Sequence, residues 1–179
     1  MTQIANVYAG ALYALAQEEN CQQQLLEQLT ALDTAFRQEP EFIRLLSMDN
    51  ISKEERCRIL DGSFRGKIHP YVLNFLKILT EKGYMRHFGD CCKAFRRDYN
   101  QAHGIVEVSA VTAVALTKDQ SERLAQKLAK VTGKTVDLKN RVDPAVMGGV
   151  RLDYDGKRLD DTVAQRLDSI GKLLKNTVL

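Results

Sequence analysis

Val142-Asp143-Pro144-Ala145-Val146-Met147-Gly148-Gly149-Val150-Arg151-Leu152-Asp153-Tyr154-Asp155-Gly156-Lys157-Arg158-Leu159-Asp160-Asp161-Thr162-Val163 is the stretch on which the fold turns. From Gly149 the pattern alternates, so Val150, Leu152 and Tyr154 fall on one face of a strand. Asp155-Gly156 tolerates the positive φ of a tight primed turn and predicts a hairpin. A short return strand at Arg158-Leu159 follows, and Asp160-Asp161-Thr162 reads as a helix start. Gly148-Gly149 relieves crowding where the strand begins and bends. No Lys-Ser or Lys-Thr pair follows these glycines, which excludes a phosphate loop. The unit holds no nucleophile and no general base.

Working back toward the N-terminus, the same half of the chain continues as a mixed pattern. At Gly104 a helical period gives way to a β-branched run from Ile105 to Val114. Thr117 with Gln120 forms a capping box for a helix through Leu124, Leu128 and Val131 that stops at Gly133. Thr135 to Val142 reads as a second strand, and a last helix is predicted from about Thr162 to Asn176. Strand, helix, strand, hairpin and helix make a small mixed sheet with helices on one face.

The first hundred residues carry helical spacing throughout. Ile4, Tyr8, Ala11, Leu12 and Leu15 mark a first helix with Thr2 as its cap, and Leu25, Leu29, Leu32 and Phe36 mark a second over residues 22–37. Pro40 starts a short third, and Ser52 with Glu55 caps a fourth that ends before a loop over residues 62–69. Pro70 opens a helix that is apolar almost all round and ends at Gly83. Met85 to about Gln101 reads as the longest helix. The expected fold is α+β: an antiparallel bundle of about six helices over residues 1–103, then a small mixed α/β domain over residues 104–179.

Composition narrows the function classes. The chain has 179 residues, 44% hydrophobic and 27% charged, which is ordinary for a globular protein. Its start has no basic leader and no apolar run reaches membrane-spanning length, so the protein is expected to stay where it is made. The net charge of +3 falls wholly after residue 104, which marks a boundary near His103-Gly104. Cys21, Cys57, Cys91 and Cys92 show neither disulfide nor zinc spacing and read as reduced thiols. His87 and Cys91 could present half a metal site, but no second pair completes it. No cofactor is implied. Arg123, Lys127, Lys130, Lys134, Lys139 and Arg141 cluster as they would in a small RNA- or ribosome-associated protein, without the aromatics that stack on bases.

An interaction role has the strongest support in the residues themselves. The first helix carries Tyr8, Leu12 and Leu15 on one stripe and Ala5, Ala9, Gly10, Ala14 and Ala16 on another. A helix facing one core needs a single apolar stripe. The Pro70 helix has a similar surplus, so each either sits at the bundle centre or is covered by a partner.

Tyr8-Ala9-Gly10-Ala11-Leu12, Phe75-Leu76-Lys77-Ile78-Leu79 followed by Gly83, the Gly104 to Ala110 strand entry, Val146-Met147-Gly148-Gly149-Val150 and Leu159-Asp160 with Thr162-Val163 occur in a telling order. Together they resemble the delta subunit of F-type ATP synthases, the relative of the mitochondrial oligomycin-sensitivity-conferring protein, over essentially the whole chain. Three positions depart from that pattern: Val7 replaces a basic residue, Tyr84 replaces the arginine after the helix-ending glycine, and Thr162 replaces serine.

The resemblance implies a non-catalytic stator connector, with no active site of its own, at the top of the peripheral stalk. It implies that residues 1–103 hold the N-terminal helix of an alpha subunit of the catalytic head. That helix would lie in a groove of Tyr8, Ala11, Leu12 and Leu15 facing Phe75, Ile78 and Leu79. Residues 104–179 would meet the b subunits of the peripheral stalk. On the last helix, Val163, Leu167, Ile170 and Leu174 make a stripe, with Arg166, Lys172 and Lys175 on an exposed contact face. The implied location is the cytoplasmic face of the cell membrane, peripheral and reached only through the complex.

Overall fold

The helical spacing of the first hundred residues becomes six α-helices in a computed structural model, which describes residues 3–48, 50–146, 148–154 and 157–162. They are α1 (Gln3–Glu18), α2 (Gln22–Gln38), α3 (Pro40–Leu46), α4 (Lys53–Phe64), α5 (Pro70–Glu81) and α6 (Phe88–Ala102). The chain divides into two units, Met1–Asn100 and Gln101–Leu179. The Thr2 cap lies outside the described residues.

Local chemistry explains most boundaries. Ser52 Oγ accepts from the Glu55 amide at 3.1 Å and starts α4. His69 Nδ1 accepts from the Tyr71 amide at 3.3 Å, and Pro70 supplies the first residue of α5. Both α1 and α5 end in a Schellman turn. Asn20 (φ 52°) and Gly83 (φ 73°) take the left-handed conformation. The Cys21 amide then donates to Ala16 O at 3.0 Å, and the Tyr84 amide to Leu79 O at 2.7 Å. Asparagine and glycine are the residues that enter this region most readily.

Three details differ from the expectation. Gly62 lies inside α4, which runs to Phe64 before the loop begins. Met85–His87 forms a separate 3-10 turn ahead of α6. With 17 residues α2, not the 15-residue α6, is the longest helix among the described residues.

The core of this unit gathers Leu25, Leu29, Leu46, Leu60, Leu76, Leu79, Met85, Phe88 and Phe95, all fully buried. Phe36 joins α2 to its neighbours by ring contacts at 5.5 Å to Phe42, 6.1 Å to Phe64 and 5.1 Å to Phe88. Buried Arg56 donates from Nη1 to Leu46 O at 3.0 Å, supplying a partner to the C-terminus of α3. α1 is seated differently. Ala5, Ala9 and Ala16 are fully buried, with Leu12 6% exposed, so the inward face draws on both expected stripes, while Ala14 of the small-residue stripe is exposed.

The second unit is a four-stranded mixed sheet in the order β2-β1-β3-β4. Its strands are β1 (Ile105–Thr112), β2 (Thr135–Val142), β3 (Gly149–Tyr154) and β4 (Lys157–Thr162). β1 and β2 are parallel and joined by α7 (Lys118–Thr132), which packs against β2. The full capping box is present: Gln120 N donates to Thr117 Oγ1, and Thr117 N to Gln120 Oε1. Gly133 (φ 68°) ends the helix.

The registers put Val106, Val108, Ala110, Val136, Leu138, Val150, Leu152 and Tyr154 on one face. Glu107, Asp137, Lys139, Arg151, Asp153 and Arg158 share the other. Asn140 ties the end of β1 to the following loop. Its Nδ2 donates to Ala110 O and Thr112 Oγ1, each at 2.9 Å, and its Oδ1 accepts from Leu116 N at 2.9 Å.

The hairpin return is longer than the sequence suggests. Asp160, Asp161 and Thr162 pair with Arg151, Val150 and Gly149 as strand, not as a helix start. Six residues of β3 offer backbone partners, and acidic side chains suit an edge strand. The rest of the expected last helix lies outside the described residues.

Because Ala9 touches the core and Ala11 does not, the two alanines should respond oppositely to added bulk. Ala9→Leu is expected to destabilise the protein by about 1–3 kcal/mol. Ala11→Leu should stay within about 0.5 kcal/mol. Urea unfolding followed by helical circular dichroism measures both.

Candidate functional site

Two side-chain pairs join α1 to the turn after α5, and α5 to the turn after α1. The rings of Tyr8 and Tyr84 meet edge to face, with centroids 5.8 Å apart. At the other end, the Glu19 carboxylate lies by the Tyr71 phenol. Its charge is the main cause, with burial second, that pushes the phenol above its ordinary range. Tyr8 lies in the first half of α1 and Glu19 just past its end, while Tyr71 opens α5 and Tyr84 lies just past its end, so the two helices run antiparallel.

The expected groove residues divide by depth. Leu12, Phe75 and Leu79 are buried in the bundle's own core and form a floor, not a free surface. Tyr8 and Leu15 are half-buried. Ala11 is exposed, and Ile78 retains 39% of its surface. Val7, 64% exposed, and Ala14 complete an outward strip with Ala11; neither was among the expected groove residues, although Ala14 belonged to the small-residue stripe. Their spacing of four and three residues was the available signal. A Cβ added at Gly10 would meet nothing within 4 Å, so the strip is open there as well. Small side chains let a neighbouring helix approach closely.

The stalk-contact candidates Arg166, Ile170, Lys172, Leu174 and Lys175 lie outside the described residues. In the second unit the charged sheet face is internally matched. Lys139 Nζ sits 3.5 Å from both Glu107 and Asp137, and Arg158 Nε donates to Asp153 at 2.8 Å. Of the basic residues that suggested RNA, Arg123 is paired with Asp119 at 3.0 Å and Arg141 lies 4.0 Å from Asp143.

Among the described residues no group of three or more His, Cys, Asp or Glu is placed to hold a metal. Cys91 and Cys92 are both buried despite their adjacency, and Cys92 Sγ lies 3.6 Å from Leu29 O. Burial first, then the nearby Asp90 carboxylate, pushes the Cys91 thiol up to about 11. Burial raises Cys92 still more strongly. Among the described residues no helix is long and apolar enough to cross a membrane.

With this architecture in view, residues 4–174 match the model of the ATP synthase delta (OSCP) subunit family. The chain belongs to that family. It is 31% identical over 176 residues to the ATP synthase subunit delta of Alkaliphilus oremlandii, covering 98% of each chain. It is 32% identical over 173 residues to that of Desulfitobacterium hafniense, covering 97% of each. A chain of the Toxoplasma gondii mitochondrial ATP synthase hexamer shares the fold, with a TM-score of 0.77, 20% identity and coverage of 97% and 98%. As a delta-family chain it is a structural subunit of the membrane-bound ATP synthase and a component of its peripheral stalk. Nothing supports the RNA-binding reading.

Two solution properties follow for this delta-family subunit. Native protein at pH 8 should yield Cys21 and Cys57, both half-buried, to a thiol reagent, and Cys91 and Cys92 only after denaturation. Mass mapping of the labelled peptides checks this.

The second concerns Asp61 on α4, 2.7 Å from Lys77 on α5. The Lys77 hydrogen bond holds its carboxyl below the usual carboxylate range, against the opposing effect of burial. A depressed folded pKa adds stability above the unfolded value, and that stability is lost as pH falls through the folded one. Asp61→Asn should therefore be less stable than the parent at neutral pH. Thermal unfolding across pH should show the difference vanish in acid, below the ordinary carboxylate range.

Proposed function

We propose that the chain is the non-catalytic connector between the catalytic head and the peripheral stalk. Its helical unit would hold the N-terminal helix of an alpha subunit across α1 and α5. Its second unit would meet the b subunits, through the region of Arg166, Ile170, Lys172, Leu174 and Lys175. No active site is assigned to it, and its place is the cytoplasmic face of the cell membrane, reached through the complex.

The observation that carries this reading is the open strip of Val7, Ala11 and Ala14 on α1, flanked on the same helix by half-buried Tyr8 and Leu15, with Ile78 left exposed on α5. A core-facing helix has no need of a second apolar stripe. An amphipathic helix laid along it would bury its own apolar face against small side chains.

The physical task is to resist torque. A rotor turning inside the head would carry the head with it unless both head and stalk are gripped. A connector that holds two partners makes the second contact at high effective concentration. Nanomolar holding at one end requires about 12 kcal/mol, which an apolar helix contact can supply without chemistry.

Calorimetric titration of the full chain with a synthetic N-terminal helix of its cognate alpha subunit tests the proposal. Tight binding is expected, with a negative heat-capacity change and modest salt sensitivity. Ala11→Arg should weaken it by more than about 2 kcal/mol, because the cation would be desolvated under the docked helix. The fold should be intact, since Ala11 is exposed. Absence of binding by the parent chain would overturn the reading, and unchanged affinity of the variant would show that another face binds.

A further inference from the structure

The aromatic pair at the open end of the α1–α5 face stands at a position where the family resemblance leads one to expect arginine. Gly83 in its left-handed conformation ends α5, and the Tyr84 amide is locked to Leu79 O at 2.7 Å. This turn directs the Tyr84 ring across to Tyr8, at 5.8 Å and an interplanar angle of 66°. His87 backs the same ring from the following 3-10 turn, with centroids 6.3 Å apart.

The first turns of α1 need such a support. Their fully buried anchors are the methyl groups of Ala5 and Ala9, and each contributes little on its own. Val7, in the same turns, points outward and adds nothing to the seating. An edge-to-face ring contact adds a directional interaction that fixes both the angle and the separation of the helices. At the far end Tyr71 and Glu19 provide a polar counterpart, with the His69 ring 4.9 Å from that of Tyr71.

The geometry points to Tyr84 as a positioning residue for helix docking: its ring, held by the Gly83 turn, fixes Tyr8 and the N-terminal half of α1 relative to α5, so the face is formed before the partner arrives. This rests on the docking reading above. A preorganised face avoids the ordering cost that a loose α1 would impose on binding. Tyr84 acts through Tyr8 and the helix it holds.

The test uses the full chain and the synthetic alpha-subunit helix, with affinity by calorimetry and folded fraction by circular dichroism. Tyr84→Ala should bind about tenfold more weakly than the parent while remaining folded at the temperature of measurement. Tyr84→Phe keeps the ring and should restore parental affinity. A purely structural role would alter thermal stability and leave the affinity of the folded molecules untouched. Should Tyr84→Ala fail to fold, Tyr84→Leu, which keeps the bulk and removes the ring, decides in its place by the same tenfold criterion. If the parent binds and the folded variant without the ring binds equally well, the positioning role is overturned. If the parent does not bind, the docking reading itself fails.

Discussion

The close seating of α1 on methyl-sized side chains is the constraint from which the rest of the helical unit follows. Helix separation depends on the side chains at the contact, and alanines permit a near approach. Ala5, Ala9 and Ala16 occupy the inward stripe with Leu12, so larger residues are displaced to the flanks. Tyr8 and Leu15 thereby become half-buried shoulders, and Val7, Ala11 and Ala14 face outward. The exposed strip is a consequence of how the core is built.

Helix ends then convert that packing into a defined pair of antiparallel rods. The left-handed turns at Asn20 and Gly83 stop α1 and α5 and return the chain at a set angle. Each satisfies carbonyls that would otherwise be left without partners at a helix C-terminus. The same turns deliver the side chains at the two ends of the face, Tyr84 opposite Tyr8 and Glu19 by Tyr71. Backbone geometry and side-chain packing are here one device.

The second unit solves a different problem with charge and register. Parallel β1 and β2 require the α7 crossover, and antiparallel β3 and β4 extend the sheet on the other side of β1. Opposed acids and bases on one sheet face neutralise one another, so this face presents little net field. Of the basic residues that suggested a nucleic-acid patch, Lys139 and Arg141 on β2 and Arg123 on α7 are thus each drawn to an acidic neighbour.

Local signals in the sequence determined the helices of the first unit, the strand–helix–strand crossover and the hairpin, because each is written in residues close along the chain. Pro70, Gly83, the Thr117–Gln120 box and Gly133 act within a turn of where they stand, and the family motifs made the subunit's identity legible. Tertiary structure alone decided which stripe of α1 turned inward, since periodicity places residues on faces without saying which face meets the core. It also sent Leu12, Phe75 and Leu79 into the interior, left Ala11 and Ile78 outside, and drew Asp160 to Thr162 into a strand. Those outcomes depend on neighbours distant in sequence, whose volumes and free backbone groups no local pattern contains.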